Sequence, residues 1–325
     1  MAPGFHIPDQ FPILDLYLIF DVVAGRGPDH SELAIFEGLK DEPCDLHQNR
    51  MITAKILGEK YITDGKAADT PGFIPDMSAE IFYEVVRLID GKFLFLDDHL
   101  DRLSHSLSSS GIPSPGNDVI RENLRLLQIN NQFKEGNIRI CIQRNRNGDS
   151  HLLCYFIPYF YPETCMYKSG VQLMTFPHIR PNPGIKKWDD QFRVSVNQFI
   201  RDQGIYEAIL LNDRKQITEG SRSNIFFINH QSRLVSAPEN EILGGITRKY
   251  LLGICMKAQI EIIHRSVYLE ELKDFKSCFI SGTSPKVLPV WQLDGVEFEV
   301  NHPVLQFLME QFDRVILDHL EDLLH

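Results

Sequence analysis

Residues Gln216 to Phe227 read Gln-Ile-Thr-Glu-Gly-Ser-Arg-Ser-Asn-Ile-Phe-Phe, and apolar segments flank this run on both sides. Tyr206 to Leu211 precedes it, and the polar link Asn212 to Lys215 is suited to a hairpin turn. Ile225 to Ile228 forms the second apolar segment. Glu219 therefore lies between two predicted strands, where a carboxylate can meet the cationic ring nitrogen of a ligand. A solvated loop glutamate is the simpler alternative.

The composition is that of an ordinary globular protein. Of the 325 residues 43% are hydrophobic and 24% are charged, and the formal charge of -11 argues against a nucleic-acid partner. The six cysteines lack metal-binding spacing, so we expect no metal, and Cys141, Cys154, Cys255 and Cys278 lie in apolar runs that suggest buried thiols in a reducing compartment. Asp15 and Asp21 interrupt the apolar stretch near the N-terminus, so we expect neither a signal peptide nor a membrane span. The prediction is a cytoplasmic protein with no membrane partner.

The chain divides into three predicted regions. Residues 1–58 form an extension of unknown role, in which Ile13 to Ala24 is rich in strand formers. Residues 59–160 are predicted to form a small α+β domain that ends in the linker Pro158 to Pro162. Residues 161–325 form a larger domain.

Tight hairpins and helices alternate in the small domain. Glu80 to Ile89 is a predicted strand, and Asp90-Gly91 is a two-residue turn before a further strand, Lys92 to Leu96. Leucines at 100, 103 and 107 then recur at helical spacing. The remaining predicted elements are a helix from about Asp118 and strands over Asn137–Gln143 and His151–Ile157.

The larger domain begins with a predicted strand, Val171 to Phe176, and an irregular segment, Pro177 to Gly184. A helix from Trp188 to Asp202 follows, with Phe192, Val196 and Phe199 on its buried stripe. The later predicted elements are strands over Leu234–Ala237, Glu261–Ser266 and Ser277–Ile280, a helix over Thr247–Ala258 and a closing helix from Pro303.

Reactive or phosphate-binding groups occur at several predicted turns. Gly184 to Lys187 precedes a helix, and a desolvated lysine there can form a Schiff base, although solvated lysines are usual at helix starts. Leu243 to Arg248 places two glycines before a helix, whose free N–H groups bind phosphate. Ser281 to Ser284 adds hydroxyls. Arg102 is either a bidentate phosphate ligand or a surface arginine.

Together these motifs resemble one family, the class IV (fold-type IV) pyridoxal-phosphate aminotransferases. That group includes branched-chain and D-amino acid aminotransferases and aminodeoxychorismate lyase. The matching runs, in family order, are Tyr83–Arg87, His99–Leu103, Ile185-Lys186, Tyr206–Leu210, Thr218–Phe226, Leu243–Arg248 and Gly282-Thr283. The resemblance implies an α+β fold with a small N-terminal α+β domain and a larger C-terminal α/β domain. It also implies pyridoxal 5'-phosphate between the domains, and a homodimer.

The resemblance implies roles for the cofactor-binding residues. Lys186 would hold the cofactor and shuttle a proton, because it follows Ile185 as in the family and is in register with Tyr206-Glu207-Ala208. Glu219 would pair with the pyridine nitrogen and make the ring an electron sink. The other residues assigned to the cofactor, chiefly to its phosphate, are Arg102, Ile246, Thr247, Thr283 and Ser221.

Candidate substrate residues follow from the same resemblance. Arg222 fills the variable position of the Glu-Gly-Ser-x-Ser-Asn turn and could accept a substrate carboxylate or face solvent. Arg144 resembles the arginine that binds the substrate carboxylate in the D-amino acid enzyme. Tyr83 and Arg87 alternate on one strand face and could line the substrate side or be ordinary sheet residues. Ser284 is the last candidate.

The reaction implied is amino transfer between an amino acid and a 2-oxo acid, both small molecules. A lyase that uses the same cofactor for β-elimination, as aminodeoxychorismate lyase does, is the first alternative. A non-catalytic protein that binds the cofactor or a partner is the second.

Overall fold

The computed structural model describes residues 56–73, 76 and 79–323, all within one compact unit. The predicted extension over residues 1–58, with its strand at Ile13 to Ala24, lies outside the described residues except at positions 56–58. The first strand already begins there, at Leu57.

Residues 57–157 supply a six-stranded antiparallel sheet. Its strands are β1 (Leu57–Thr63), β2 (Lys66–Asp69), β3 (Glu80–Ile89), β4 (Lys92–Phe93), β5 (Gly136–Arg144) and β6 (Ser150–Ile157). Their order across the sheet is β2-β1-β6-β5-β3-β4. The long pair β3 and β5 is in register from Glu80 opposite Arg144 to Leu88 opposite Gly136.

Two helices, α1 (Leu96–Ser108) and α2 (Asn117–Asn131), cover one face of this sheet. The shared core consists of Val86, Leu88, Ile138 and Ile140 from the sheet with Leu100, Leu103, Leu107, Ile120, Leu124 and Leu127 from the helices. Since side chains alternate along a strand, Tyr83 lies on the opposite face, with Cys141, Tyr155 and Trp188.

Residues 171–297 form a ten-stranded mixed sheet. Its strands are β7 (Val171–Pro177), β8 (Glu207–Leu211), β9 (Gln216–Gly220), β10 (Asn224–Asn229), β11 (Leu234–Ser236), β12 (Ile262–His264), β13 (Val267–Tyr268), β14 (Phe275–Gly282), β15 (Lys286–Leu293) and β16 (Val296–Glu297). The order is β12-β11-β10-β14-β15-β7-β8-β9-β13, with β16 beside β15. The parallel neighbours are β7 with β8, β7 with β15 and β11 with β12.

The helices of this half are α3 (Thr164–Ser169), α4 (Asp190–Gln203), α5 (Ile246–Lys257) and α6 (Pro303–Asp322). Helix α4 connects the parallel strands β7 and β8 and packs Phe192, Val196 and Ile200 against Ala208 and Leu210. Helices α5 and α6 share a second core with β10 and β14. None of the described helices is long and apolar enough to cross a membrane.

Several predicted elements differ from those observed. Glu219 lies inside β9, which pairs with β8, rather than in a loop between strands, because Gln216–Gly220 is too short and polar for alternation to reveal it. Lys92–Phe93 is the whole of the strand predicted to reach Leu96, since α1 begins there. Strand β15 was not predicted because Pro289 within it argues against a strand.

Helix α4 also begins later than predicted, at Asp190 rather than Trp188. Asp189 is its N-cap, with its Oδ1 accepting a hydrogen bond from Phe192 N at 3.0 Å. Ile200 is buried on the helix stripe, whereas Phe199 is only partly buried. The two residues before the cap extend along the edge of β3, where Trp188 N donates to Ile81 O at 2.8 Å.

Candidate active site

One cavity of about 180 Å³ brings together half of the predicted site residues. They are Lys186, Arg102, Thr283, Tyr83, Arg222 and Ser284. The predicted linker is part of the wall, since Pro158, Tyr159 and Phe160 also line the cavity. Residues far apart in the chain therefore meet at the face of the six-stranded sheet that carries Tyr83.

Main-chain contacts hold the segment that carries Lys186. Lys186 N donates to the hydroxyl of Ser106 on α1 at 3.2 Å, and Lys186 O accepts from Tyr83 N on β3 at 3.2 Å. The lysine backbone is thus fixed between a helix and a strand of the six-stranded sheet, while its side chain reaches the cavity.

The environment of Lys186 favours a neutral amine. Its Nζ lies 5.0 Å from the centre of the Tyr83 ring. Burial lowers the pKa of Lys186; Tyr83 opposes this effect, and the positive charges of Arg102 and Arg180 add to it. A lysine with a lowered pKa has a larger fraction of the nucleophilic, neutral form near neutral pH.

Tyr83 is unusually acidic for a buried tyrosine. Burial raises the pKa of its phenol, but the charges of Arg193, Lys186, Arg139 and Arg180 outweigh burial and lower the pKa to about 7. Arg193 Nη2 donates directly to Tyr83 Oη at 3.2 Å. The phenol is therefore poised to carry negative charge near neutral pH.

Arg102 is fixed by a buried carboxylate. Its Nε and Nη2 donate to Glu84 Oε1 and Oε2 at 2.7 and 2.6 Å, and His99 Nδ1 lies 2.8 Å from Oε2. Glu84 is completely buried, whereas 12% of the Arg102 side chain is exposed. The remaining nitrogen, Nη1, donates to Gly244 O at 2.8 Å. This pairing aligns the guanidinium at the cavity wall.

The helix start predicted to bind phosphate is joined to Arg102 through that contact. Helix α5 begins at Ile246, directly after Gly244 and Gly245, and no described side chain caps it. Its first N–H groups point along the helix axis toward that end. Ile246 and Thr247 are buried and lie outside the cavity lining, whereas Thr283 belongs to it.

Glu219 is buried and hydrogen-bonded to protein donors. Arg180 Nε donates to its Oε1 at 2.6 Å, and Leu243 N donates to its Oε2 at 3.1 Å. Its side chain is 3% exposed and is not among those that line the cavity. Each carboxylate oxygen keeps a further lone pair, so a third donor can be accepted.

A second buried acid, Glu207, orders the turn that follows Glu219. Ser221 Oγ donates to Glu207 Oε1 at 3.1 Å and Ser223 Oγ donates to Oε2 at 2.9 Å. The main-chain N–H of Arg222 also donates to Oε1. Burial raises the pKa of Glu207 despite these hydrogen bonds. The hydroxyl of Ser221 is thus committed to Glu207 and does not line the cavity.

Arg139 and Arg193 line the cavity, although their sequence context did not single them out. The Arg139 guanidinium lies 4.7 Å from the Trp188 ring centre, and its Nε has no hydrogen-bond partner among the described residues. Arg193 is buried on α4, with Nη1 donating to Ser221 O at 2.8 Å. Alternation along β5 could have indicated Arg139. No sequence signal marks Arg193, because a helical arginine usually faces solvent.

Two predicted substrate residues do not line the cavity. Arg87 is buried with its guanidinium 3.8 Å from the centre of the Tyr161 ring. Arg144 lies at the end of β5, opposite Glu80 in the register. Across residues 56–73, 76 and 79–323 there is also no cluster of three His, Cys, Asp or Glu side chains able to hold a metal ion.

Comparisons with known proteins agree with the fold and the motifs. The family model described as Amino-transferase class IV matches residues 81–293, more than half of the chain. A D-alanine aminotransferase from Bacillus licheniformis is 27% identical over 224 residues, which are 66% of this chain and 78% of that protein.

Solved structures share the same architecture. A branched-chain aminotransferase from Thermoproteus uzoniensis, determined with norvaline, has a TM-score of 0.70 and 24% identity over 81% of this chain and 96% of that one. A branched-chain amino acid aminotransferase of T.th., determined with pyridoxamine 5'-phosphate, has a TM-score of 0.72 and 17% identity over 82% and 96%. The chain therefore belongs to the class IV aminotransferase family and is a transaminase enzyme.

Proposed function

We propose that this transaminase uses pyridoxal 5'-phosphate, carried by Lys186, to move an amino group between an amino acid and a 2-oxo acid. The observation that supports the proposal most directly is the meeting of Lys186, Arg102 and Thr283 in one cavity. When bound, the cofactor supplies an aldehyde that exchanges amines and a ring that withdraws electrons.

The environment of Lys186 suits a reaction with the aldehyde of that cofactor. The lowered pKa of Lys186 makes its Nζ available as the amine that reacts with an aldehyde. The same atom can then remove the proton from Cα of the amino acid and return it at the other reacting carbon. The main-chain contacts to Ser106 and Tyr83 keep the amine in place during these steps.

Glu219 is the proposed partner of the ring nitrogen, although it lies outside the described cavity lining. A Glu219 oxygen would accept a hydrogen bond from the N–H of the protonated pyridine ring, through a lone pair that Arg180 and Leu243 leave free. Arg180 Nε holds the Glu219 carboxylate in place through its contact at 2.6 Å.

Arg102 and Thr283 would hold the phosphate from the cavity wall, with the N-terminus of α5 at Ile246 and Thr247 supplying main-chain donors. The contact from Arg102 to Gly244 O joins these two parts. Ser221 would act indirectly, through the turn it shares with Glu207. Tyr83, Ser284 and Arg222 would line the substrate side. The resemblance also leads us to propose a homodimer, located in the cytoplasm, with the domain boundary near residue 160.

The test compares two adjacent lysines. Lys186→Ala should abolish turnover of an amino acid with a 2-oxo acid, and borohydride reduction should no longer attach the cofactor to the protein. Lys187→Ala is the matched control, because Lys187 Nζ forms an exposed ion pair with Glu80 at 2.6 Å. The control should keep both properties. Turnover by Lys186→Ala above a few per cent of the wild-type rate would contradict the assignment.

The same assay separates the alternatives. A transaminase consumes one oxo acid for each one it releases, so omitting the acceptor stops the reaction. Continued product formation without an acceptor would favour a lyase. Retention of the cofactor with no product from any donor would favour a binding protein.

A further inference from the structure

The arginines near the cavity differ in how their charge is balanced. Arg102 is paired with the carboxylate of Glu84, and Arg180 with that of Glu219. The side chains of Arg193 and Arg222 instead donate hydrogen bonds to groups other than carboxylates. Arg193 donates to the carbonyl of Ser221 and to the phenol of Tyr83, and both arginines line the cavity.

Cross-contacts link the elements that carry these two arginines, and the positive charge of Arg193 acts on Arg222. Arg193 on α4 donates to Ser221 O, the residue directly before Arg222. Arg222 Nη2 donates to Oδ1 of Asn197, one helical turn after Arg193, at 2.5 Å. Like charges held close together repel each other, and an anion bound between them relieves that repulsion.

The one acid among the described cavity-lining residues, Glu207, attracts Arg222 but is hydrogen-bonded by the turn rather than by either guanidinium group. Both oxygens of Glu207 accept hydrogen bonds from the turn, namely from Ser221, Ser223 and the main chain of Arg222. Within the described lining, this one carboxylate faces the guanidinium groups of Arg139, Arg193 and Arg222. The excess positive charge can be balanced by an anionic ligand.

We infer that Arg193 and Arg222 together form a carboxylate-binding site in the cavity, which holds a carboxylate of the substrate. The inference rests on the proposed function for the identity of the ligand. Guanidinium groups match the planar, two-oxygen geometry of a carboxylate. Tyr83 connects the site to the reactive amine, since its Oη accepts from Arg193 and its ring centre lies 5.0 Å from Lys186 Nζ.

The carboxylate can be the one next to Cα, which every substrate has, or a second one on the side chain. Two unreactive acids of equal carbon number distinguish these sources. Pentanoate carries one carboxylate and glutarate carries two, and neither has an amino or oxo group to react. Their dissociation constants can be measured by titration calorimetry on the purified wild-type protein and on variants.

Arg193→Gln and Arg222→Gln should each weaken binding by about tenfold to a hundredfold, the usual cost of losing a charged hydrogen-bond partner. Equal weakening for both acids assigns the site to the carboxylate next to Cα. Weakening for glutarate alone assigns it to a side-chain carboxylate. Arg201→Gln is the control, because this exposed arginine on the same helix donates to Gln198, away from the cavity lining, and should bind like the wild type.

Unchanged affinity of both acids in both variants would overturn the inference, as would failure of the wild type to bind either acid. Should Arg193→Gln not fold, Arg222→Gln decides the matter, because the Arg222 residue is exposed. The proposed function fails separately. A wild-type protein that binds carboxylates but never attaches pyridoxal phosphate at Lys186 would contradict the cofactor assignment. It would leave the inferred carboxylate-binding site unaffected.

Discussion

The guanidinium of Arg102 and the carboxylate of Glu84 form a two-point ion pair, with Nε–Oε1 at 2.7 Å and Nη2–Oε2 at 2.6 Å. Glu84 lies on β3 and faces α1, which carries Arg102. The pair thus joins strand β3 to helix α1 and aligns the Arg102 guanidinium at the cavity wall. Its loss should affect both stability and phosphate binding.

Glu84→Gln should reduce the free energy of unfolding by about 3–5 kcal/mol, because it leaves the mostly buried Arg102 charge without its partner. It should also weaken pyridoxal phosphate binding. Glu80→Gln is the control on the same strand, since its exposed pair with Lys187 is worth about 0–1 kcal/mol. Urea unfolding measures both variants, and equal destabilisation by the two would contradict the role of Glu84.

The same variant tests pH dependence. Burial raises the pKa of Glu84. The charge and hydrogen bonds of Arg102, together with the hydrogen bond from His99, outweigh burial and hold the pKa well below its usual value of 4.5. An acid with a lowered folded-state pKa stabilises the protein above its unfolded-state pKa and loses that effect as pH falls. Wild-type stability should therefore fall more steeply below 4.5 than that of Glu84→Gln. An equal loss of stability with falling pH in the two proteins would argue against this coupling.

The two glycines before α5 should respond differently to substitution. A Cβ on Gly245 would lie 2.0 Å from Asn224 Oδ1, whereas a Cβ on Gly244 would meet no described atom within 4 Å. Asn224 cannot move freely, because its Nδ2 donates to Leu243 O at 2.9 Å.

Gly245→Ala should therefore cost about 1–3 kcal/mol in unfolding free energy and weaken phosphate binding at the helix start. Gly244→Ala should change stability by less than about 0.5 kcal/mol. Thermal unfolding with and without inorganic phosphate compares the two variants. Similar melting temperatures for both would show that the close approach of Gly245 is unimportant.

Glu219→Gln should leave the cofactor attached but lower turnover by about 10²-fold or more, because the ring nitrogen would lose its proposed charged partner. The amide can still accept the hydrogen bond from Leu243 N, so the turn should remain folded. Borohydride trapping at Lys186 reports attachment, and single-turnover kinetics report chemistry. Wild-type turnover rates in Glu219→Gln would show that the reaction does not need the Glu219 carboxylate.

Tyr83 should ionise near neutral pH in the cofactor-free protein. Burial raises its pKa, and four positive groups lower it to about 7: Arg193 on α4, Lys186 and Arg180 in the preceding segment, and Arg139 on β5. Ultraviolet tyrosinate absorbance should show one early ionisation that Tyr83→Phe removes. Arg193→Gln should shift it to higher pH. An unchanged titration curve in Tyr83→Phe would mean that another tyrosine, or none, ionises early.

The fold was largely predictable because its signals are local. Helical leucine spacing indicated α1, and the Asp90-Gly91 turn marked the end of β3. The sequence pattern does not indicate β9 or β15, because β9 is short and polar and β15 contains Pro289. Hydrogen bonding to neighbouring strands, which no local pattern records, is what makes these segments strands.

The motifs by themselves indicated the family, because turn glycines, helix starts and a single placed carboxylate are features of contiguous sequence, and the resemblance singled out Lys186 as the proposed reactive lysine. Only the tertiary structure decided which side chains share the cavity. Arg139 and Arg193 line it although a charge on a strand or helix usually indicates a solvated face, and Arg87 packs on Tyr161 instead. The physical reason is that burial and the pairing of charges depend on the elements packed against a residue, and those elements come from distant parts of the chain.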